Sequence, residues 1–312
     1  MKIRFWGVRG SLPAPLTPVQ VQSKISAVLE RLRPEDLLDA ASRERFLANL
    51  PPWLFGTTGG NTPCVEIQTD SGEEIVFDAG SGIRELGIDS FKRRPRTTNF
   101  NLFFSHMHWD HIQGLPFFGP AYDPSVSITF HSPEAWLQET LSKQMLGPCF
   151  PVPIEAMGAK KTFITLTDKI DLGQVSVSWR RMNHPGGSYA YAVTEGLKRV
   201  VYATDSELIS DDFIRDDEHA AIFGGADIII IDAQYTLGEA IEKYNWGHSA
   251  FSMAIDFASN WGIGKVVLFH HDPTYDDRKL YGIQQSARWY TDHMSIKGVE
   301  VMLAREGLEL NL

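Results

Sequence analysis

The sequence predicts an α/β fold in which two packed sheets are flanked by helices. Three observations carry that reading. Short apolar, β-branched runs recur along the 312 residues, each closed by Gly, Pro, Asp or Asn. Stretches with helical spacing lie between them. No repeat, low-complexity tract or Pro/Ser-rich linker interrupts the pattern, which predicts one domain over 1–312. Strands with interspersed helices bury their apolar faces as stacked layers.

In chain order, strand-length runs occupy 2–5, 64–68, 74–77, 101–104, 126–130, 174–180, 189–194, 199–203, 228–232, 266–269 and 299–303. Helical spacing marks 21–32, 34–50, 132–145, 249–261 and 278–294. Residues 16–55 read as a helical insertion, two short charged segments between the N-terminal strand and the Gly-rich "TTGGNT" turn. Such a segment serves as a lid, a dimer contact or a surface decoration.

Composition narrows the function. Hydrophobic residues make up 43% and charged residues 22%, the balance of an ordinary globular protein. A formal net charge of −10 works against wrapping a long nucleic acid, which needs many Lys and Arg to displace counterions. It leaves room for a small anion held by a local cationic centre. Two cysteines, Cys64 and Cys149, in unrelated contexts exclude a disulfide scaffold and suit a reducing compartment. The N-terminal "MKIRFW" starts as a strand without a long apolar h-region, and no apolar run could span a bilayer. These features predict a cytoplasmic protein with no membrane partner.

The chemistry concentrates in "SHMHWDHIQG", directly after the run 101–104. His106 and His108 fall on one side of an extended segment, because strand-like side chains repeat every two residues. Asp110 and His111 turn away into a helix start. One loop thus offers two imidazoles to one ion, and a carboxylate with an imidazole to a second ion about 3.5 Å away. Further donors stand at strand ends: His184 in "RRMNHPGG", Asp205 in "VVYATDSE", where a carboxylate can bridge two ions, and His270 in "VVLFHHDP". Each alone has a structural reading. Together they complete a two-metal set of five His and two Asp. With no thiolate, the set suits two divalent ions, Zn²⁺ first, with Mn²⁺ or Fe²⁺ as alternatives.

With these residues in place, the chain resembles the metallo-β-lactamase superfamily, an αββα four-layer sandwich carrying H-x-H-x-D-H followed by His, Asp and His. The resemblance runs from "FWGVRGSLP" through "GGNTPCVEI" and "IVFDAGSGI" to "LFHHDP". Within the superfamily the chain is most similar to the ribonuclease Z-like branch, which includes class II cyclic-nucleotide phosphodiesterases. The resemblance implies His106, His108 and His184 on one metal, Asp110, His111 and His270 on the other, and Asp205 bridging. It prefers His270 over its neighbour His271 because His270 directly follows "VLF". "NWGHSA" resembles the His-Ser/Thr motif of ribonuclease Z-like enzymes, implying that His248 meets the phosphate and protonates the leaving oxygen. "IIIDAQYT" implies that Asp232 orients His248. Asp78 in "FDAGSG" is expected behind a ligand histidine. Dimeric relatives imply a homodimer.

The implied reaction is hydrolysis of a phosphodiester by a hydroxide bridging the two metals, with Asp110 orienting the nucleophile and His248 serving the leaving group. His184 and Asp205 are only 21 positions apart, largely filled by two strand runs, so no tRNA-binding arm fits between them. That favours a small-molecule phosphodiester, a cyclic nucleotide first, over tRNA 3′-processing. Rival readings are thioester or lactone hydrolysis on the same ligand set and a metal-free binding module. The loop 143–153, with Met145 and Phe150, offers an apolar wall for a base or plain core. Tyr235, Trp109 and Trp246 are further candidates for stacking or packing.

Overall fold

The computed structural model describes residues 1–312. Its fourteen strands are β1 (Lys2–Gly7), β2 (Cys64–Gln68), β3 (Glu74–Phe77), β4 (Asn99–Phe103), β5 (Ser127–Ser132), β6 (Lys160–Thr165), β7 (Ile170–Leu172), β8 (Val175–Met182), β9 (Ser188–Glu195), β10 (Lys198–Ala203), β11 (Ile228–Asp232), β12 (Lys265–Phe269), β13 (Glu300–Leu303) and β14 (Glu309–Asn311). They form two seven-stranded sheets, in the orders β14-β1-β2-β3-β4-β5-β6 and β13-β12-β11-β10-β9-β8-β7. Helices Ile83–Ser90 and Leu137–Gln144 pack on the outer face of the first sheet. Asp217–Phe223, Phe251–Trp261 and Asp277–His293 pack on the outer face of the second. The expected four-layer αββα sandwich is the observed architecture.

Local sequence explains the layering. β11 ("IIIID") and β12 ("KVVLF") run parallel to their neighbours and are buried along almost their whole length, so nearly every position is apolar. β8 lies in the antiparallel half of its sheet, and from Val175 to Ser178 buried and half-buried residues alternate. Between the sheets, Ile3, Phe5 and Phe77 meet Tyr191, Tyr202 and Phe269, with Phe77 stacked on Tyr202 at 4.9 Å between ring centroids.

The differences from expectation have local causes. β6 ("KKTFIT") is an edge strand whose lysines and threonines guard an open edge, so its apolar signal is weak. β7 and β14 are three residues each and too short to show a period. The helix expected over 34–50 is broken. A 3₁₀ turn Pro34–Leu37 precedes Ala40–Ala48, which restarts because the Asp39 side chain accepts from the Ser42 N–H at 2.7 Å. Within 16–55, Pro18–Leu29 begins with a capping box between Thr17 and Gln20 and buries none of its residues. No helix is long and apolar enough to cross a membrane.

The inter-sheet contact is tested by Phe77→Ala. It empties a fully buried ring site between Tyr191, Tyr202 and Phe103. The expected cost is about 3–5 kcal/mol of unfolding free energy in urea denaturation. A loss under about 1 kcal/mol would mean that the sheets do not rely on this contact.

Candidate metal centre

The chain leaves β4, β10, β11 and β12 at one rim of the sandwich, and the polar residues gather there. Ligand sites in open α/β sheets form at carboxyl ends of strands for the same reason: backbone groups are released and side chains can turn inward. Turning inward requires unusual backbone. Asp78, Asp205 and His270, each just beyond a strand, adopt positive φ of 61°, 48° and 59°. For residues with a Cβ this left-handed region is sparsely populated and is held by its surroundings. Two more residues of this kind stand nearby: the Ser11 N–H reaches Asp110 of the cluster, and the Asn245 N–H reaches Glu207 beside it.

The structure brings all seven predicted metal-binding residues together. His106, His108 and His184 form one group, and Asp110, His111, Asp205 and His270 a second. His184 Nε2 lies 3.2 Å from His108 Nδ1. His270 Nε2 is 3.2 Å from Asp110 Oδ2, and His111 Nε2 is 3.1 Å from Asp205 Oδ2. Asp205 stands between the groups, with Oδ2 3.2 Å from His270 Nε2 and Oδ1 3.7 Å from His106 Nε2. Donor atoms about 2.0–2.1 Å from a tetrahedral ion are separated by roughly 3.3 Å, so these spacings fit. A second observation fits as well. His106 Nε2 is buried without a hydrogen-bond partner, which folded proteins rarely allow.

Four of the five imidazoles are steered from behind. Ser105 Oγ lies 3.0 Å from His106 Nδ1, Asp78 Oδ2 2.9 Å from His111 Nδ1, the Gly247 carbonyl 2.9 Å from His184 Nδ1, and Gln234 Oε1 3.0 Å from His270 Nδ1. Such contacts fix the tautomer so that the opposite nitrogen faces the centre. Asp78 is itself saturated by the Ser105 amide and hydroxyl and by the Tyr202 hydroxyl at 2.7 Å. Gly10 and Gly247 are required by contact: a Cβ on Gly10 would sit 2.5 Å from the His270 ring, and one on Gly247 2.3 Å from His184 Nδ1.

Burial depresses the pKa of His106, His108 and His184, favouring the neutral imidazole that a metal requires. His111 behaves oppositely. Burial pulls it down, but Asp110, Asp205 and Asp78 outweigh burial and raise it well above the ordinary value. A proton or a divalent cation can satisfy the same carboxylates. His248 lies beside the cluster, its ring 5.2 Å from His184 and 5.0 Å from His270. Its Nδ1 is 2.7 Å from Asp232 Oδ2. Burial opposes its positive charge, and Asp232 overrides burial and raises the pKa to about 9.

Residues 73–271, well over half of the chain, match the family model described as a beta-lactamase superfamily domain. The chain belongs to the metallo-β-lactamase superfamily. As a member with this donor set, it is a metal-dependent hydrolase. Among curated relatives, ribonuclease Z of Prochlorococcus marinus (strain MIT 9303) is 24% identical over 280 residues, covering 71% of this chain and 86% of that protein. Among solved structures, the short form of human tRNase Z superposes with a TM-score of 0.59 at 18% identity, covering 100% of this chain and 99% of that one. A diphosphatase of the PhnP family gives 0.63 at 16% identity, covering 100% and 97%. These likenesses to solved structures establish the superfamily fold.

Within the superfamily frame, sequence reading and structure differ in detail. The helix expected from 249 begins at Phe251, with Ala250 as its N-cap, and His248 stands in the loop before it. His271, the neighbour passed over as a ligand, is buried, 2.9 Å from the Ala304 carbonyl through Nε2, and burial pushes its pKa to about 3. Of the two readings of the loop 143–153, plain core holds for Met145, which is fully buried in the outer core of the first sheet. Tyr235 is buried edge-on to His248, whereas Trp109 and Trp246 are exposed.

Sequence reasoning missed Glu207. Its two carboxylate oxygens accept the N–H groups of Asn245 and Gly247, each at 2.9 Å. It thereby fixes the loop that carries His248 and presents the Gly247 carbonyl to His184. Ser11, whose N–H reaches Asp110 Oδ2 at 2.8 Å, and Gln234 were also missed.

Replacing Asp78 with Ala leaves His111 unsteered and is expected to weaken metal affinity about 10–100-fold, read by competition with a chromophoric chelator. Unchanged affinity would deny Asp78 that role.

Proposed function

We propose that the protein is a dinuclear-metal phosphodiesterase acting on a small phosphodiester, a cyclic nucleotide first. The observation that carries this reading is the His248–Asp232 pair at 2.7 Å beside the seven-donor cluster. Two divalent ions, Zn²⁺ first with Mn²⁺ or Fe²⁺ as alternatives, when bound lower the pKa of water and offset charge on the phosphate oxygens. His106, His108 and His184 would hold one ion, Asp110, His111 and His270 the other, with Asp205 shared between them.

The chain's own groups supply the rest. Asp110, pinned by the Ser11 N–H, orients the attacking water. As the new P–O bond forms, the bond to the leaving oxygen breaks, and that oxygen takes a proton from His248. Asp232 Oδ2 holds His248 Nδ1, so Nε2 carries the proton to be given, while Asp232 Oδ1 accepts from the Ser249 N–H at 3.0 Å. Asp232 favours the charged imidazolium and raises the His248 pKa to about 9, which suits a proton donor.

An acid this well held suits a poor leaving group such as a ribose alkoxide. A thiolate, the leaving group of the rival thioester reading, leaves readily without one. A second reading, cleavage of RNA, draws on the ribonuclease Z relatives. Against it, the span between His184 and Asp205 is taken up by β9 and β10, and the net charge is −10. The same reading includes a cytoplasmic homodimer. Helix Pro18–Leu29 buries none of its residues and exposes Val19, Ile25 and Leu29, an apolar face that a second copy of the chain would cover. Light scattering should give twice the chain mass for the wild type and the monomer mass for Ile25→Asp. A monomeric wild type would remove the dimer.

The acid is tested by leaving-group dependence. His248→Ala should lower kcat about 10²–10⁴-fold for a cyclic nucleotide but only a few-fold for bis(p-nitrophenyl) phosphate, whose p-nitrophenolate needs little protonation. Asp232→Asn should move the alkaline limb of the kcat–pH profile to lower pH, because the charge that raises His248 is gone. Equal losses on both substrates would mean that His248 does not protonate the leaving oxygen.

A further inference from the structure

Beside His106 and His108 lies a cavity of about 170 Å³ that the proposed mechanism does not use. Glu134, Trp136 and Thr140 line it together with Pro185, Gly186 and Gly187, just beyond His184. Larger cavities of about 720 Å³ and 400 Å³ lie along 31–51 and against helix Asp277–His293, and neither is lined by a metal-site residue. The smaller one is well below the ~300 Å³ needed for a whole drug-sized ligand, so it takes one ring system, with the rest of the molecule left at the metals.

Its walls select that ring. Trp136 is 46% exposed, far more than an indole of the core, and offers a face for stacking. Glu134 is the one carboxylate in the lining. Its Oε1 accepts the Tyr189 hydroxyl at 2.7 Å, which fixes the carboxylate's orientation. Tyr189 stays protonated as a donor, since burial and Glu134 push its pKa up to about 12. The remaining lone pairs of Glu134 can only accept. Among the bases, guanine alone presents two adjacent donors, N1–H and N2–H₂, on one edge. Adenine and cytosine place an acceptor beside their donor, and uracil has a single N–H between two carbonyls.

We infer that this cavity is the base subsite of the diester and that it takes guanine, stacked on Trp136 and read by Glu134. The inference rests on the phosphodiesterase reading and narrows its substrate to guanine nucleotides.

Metal-loaded protein is assayed with the 3′,5′- and 2′,3′-cyclic phosphates of guanosine and adenosine. Binding of GMP and AMP is followed by isothermal titration calorimetry. A bidentate match predicts a guanine preference of about ten-fold or more in kcat/KM and in binding. Glu134→Gln, which offers one donor beside one acceptor, should abolish or invert the guanine-to-adenine ratio, a readout that a merely structural Glu134 would not move. Trp136→Ala should weaken GMP binding about five- to a hundred-fold. Turnover of bis(p-nitrophenyl) phosphate with equal handling of guanine and adenine would overturn the subsite and leave the phosphodiesterase reading standing. Failure to hydrolyse any diester would sink that reading, and the GMP-against-AMP binding ratio would then decide the subsite by itself.

Discussion

Four carboxylates, of Asp78, Asp110, Asp205 and Asp232, are almost wholly withdrawn from water at one rim of the sandwich. An ion so placed costs several kcal/mol unless positive charge and hydrogen-bond donors surround it, and removing the compensation is far worse than never having built it. Every other feature of the site answers to that constraint. Imidazoles crowd the carboxylates, the Ser11 and Ser105 amides point at them, and the Tyr202 hydroxyl crosses from the second sheet to reach Asp78. Tyr202 also stacks on Phe77 in the inter-sheet core. The same ring that holds the sheets together therefore helps to orient His111.

The constraint also explains where the backbone is strained. A regular strand end would send the side chains of Asp78, Asp205 and His270 alternately to opposite faces. One left-handed residue at each end redirects them to a common point, at a cost of order 1–3 kcal/mol per residue. The ion-binding cluster can repay such strain, because one divalent charge interacts with several donors at once.

How much of this was legible in the sequence depended on how local the signal is. His106, His108, Asp110 and His111 stand within six positions, a density that no core segment would tolerate. His184, Asp205 and His270 could be read because each closes an apolar run. Glu207 could not be read, since its partners Asn245 and Gly247 are 38 and 40 residues further on and are met through their backbone N–H groups, which no residue type encodes. Gln234 and Ser11 were hidden for a similar reason: one acts through an amide side chain in a turn, the other through its main chain. The missed strands β6, β7 and β14 are edges or very short, where packing on neighbours substitutes for an apolar period.

The segment 16–55 is joined to this centre by a continuous set of contacts. Lys24 pairs with the buried Asp277, whose Oδ1 accepts the Thr58 N–H at 2.8 Å. Arg9 donates through Nε to the Gly59 carbonyl at 2.8 Å and through Nη1 to the Tyr275 carbonyl at 2.7 Å. Gly10 then packs on the His270 ring, and Ser11 holds Asp110. A lid needs a hinge that opens cheaply, whereas separating Lys24 from Asp277 would strand a buried carboxylate. The base of this segment is thus fixed to the strap that buttresses two site residues. The face left uncommitted is the outward one bearing Val19, Ile25 and Leu29.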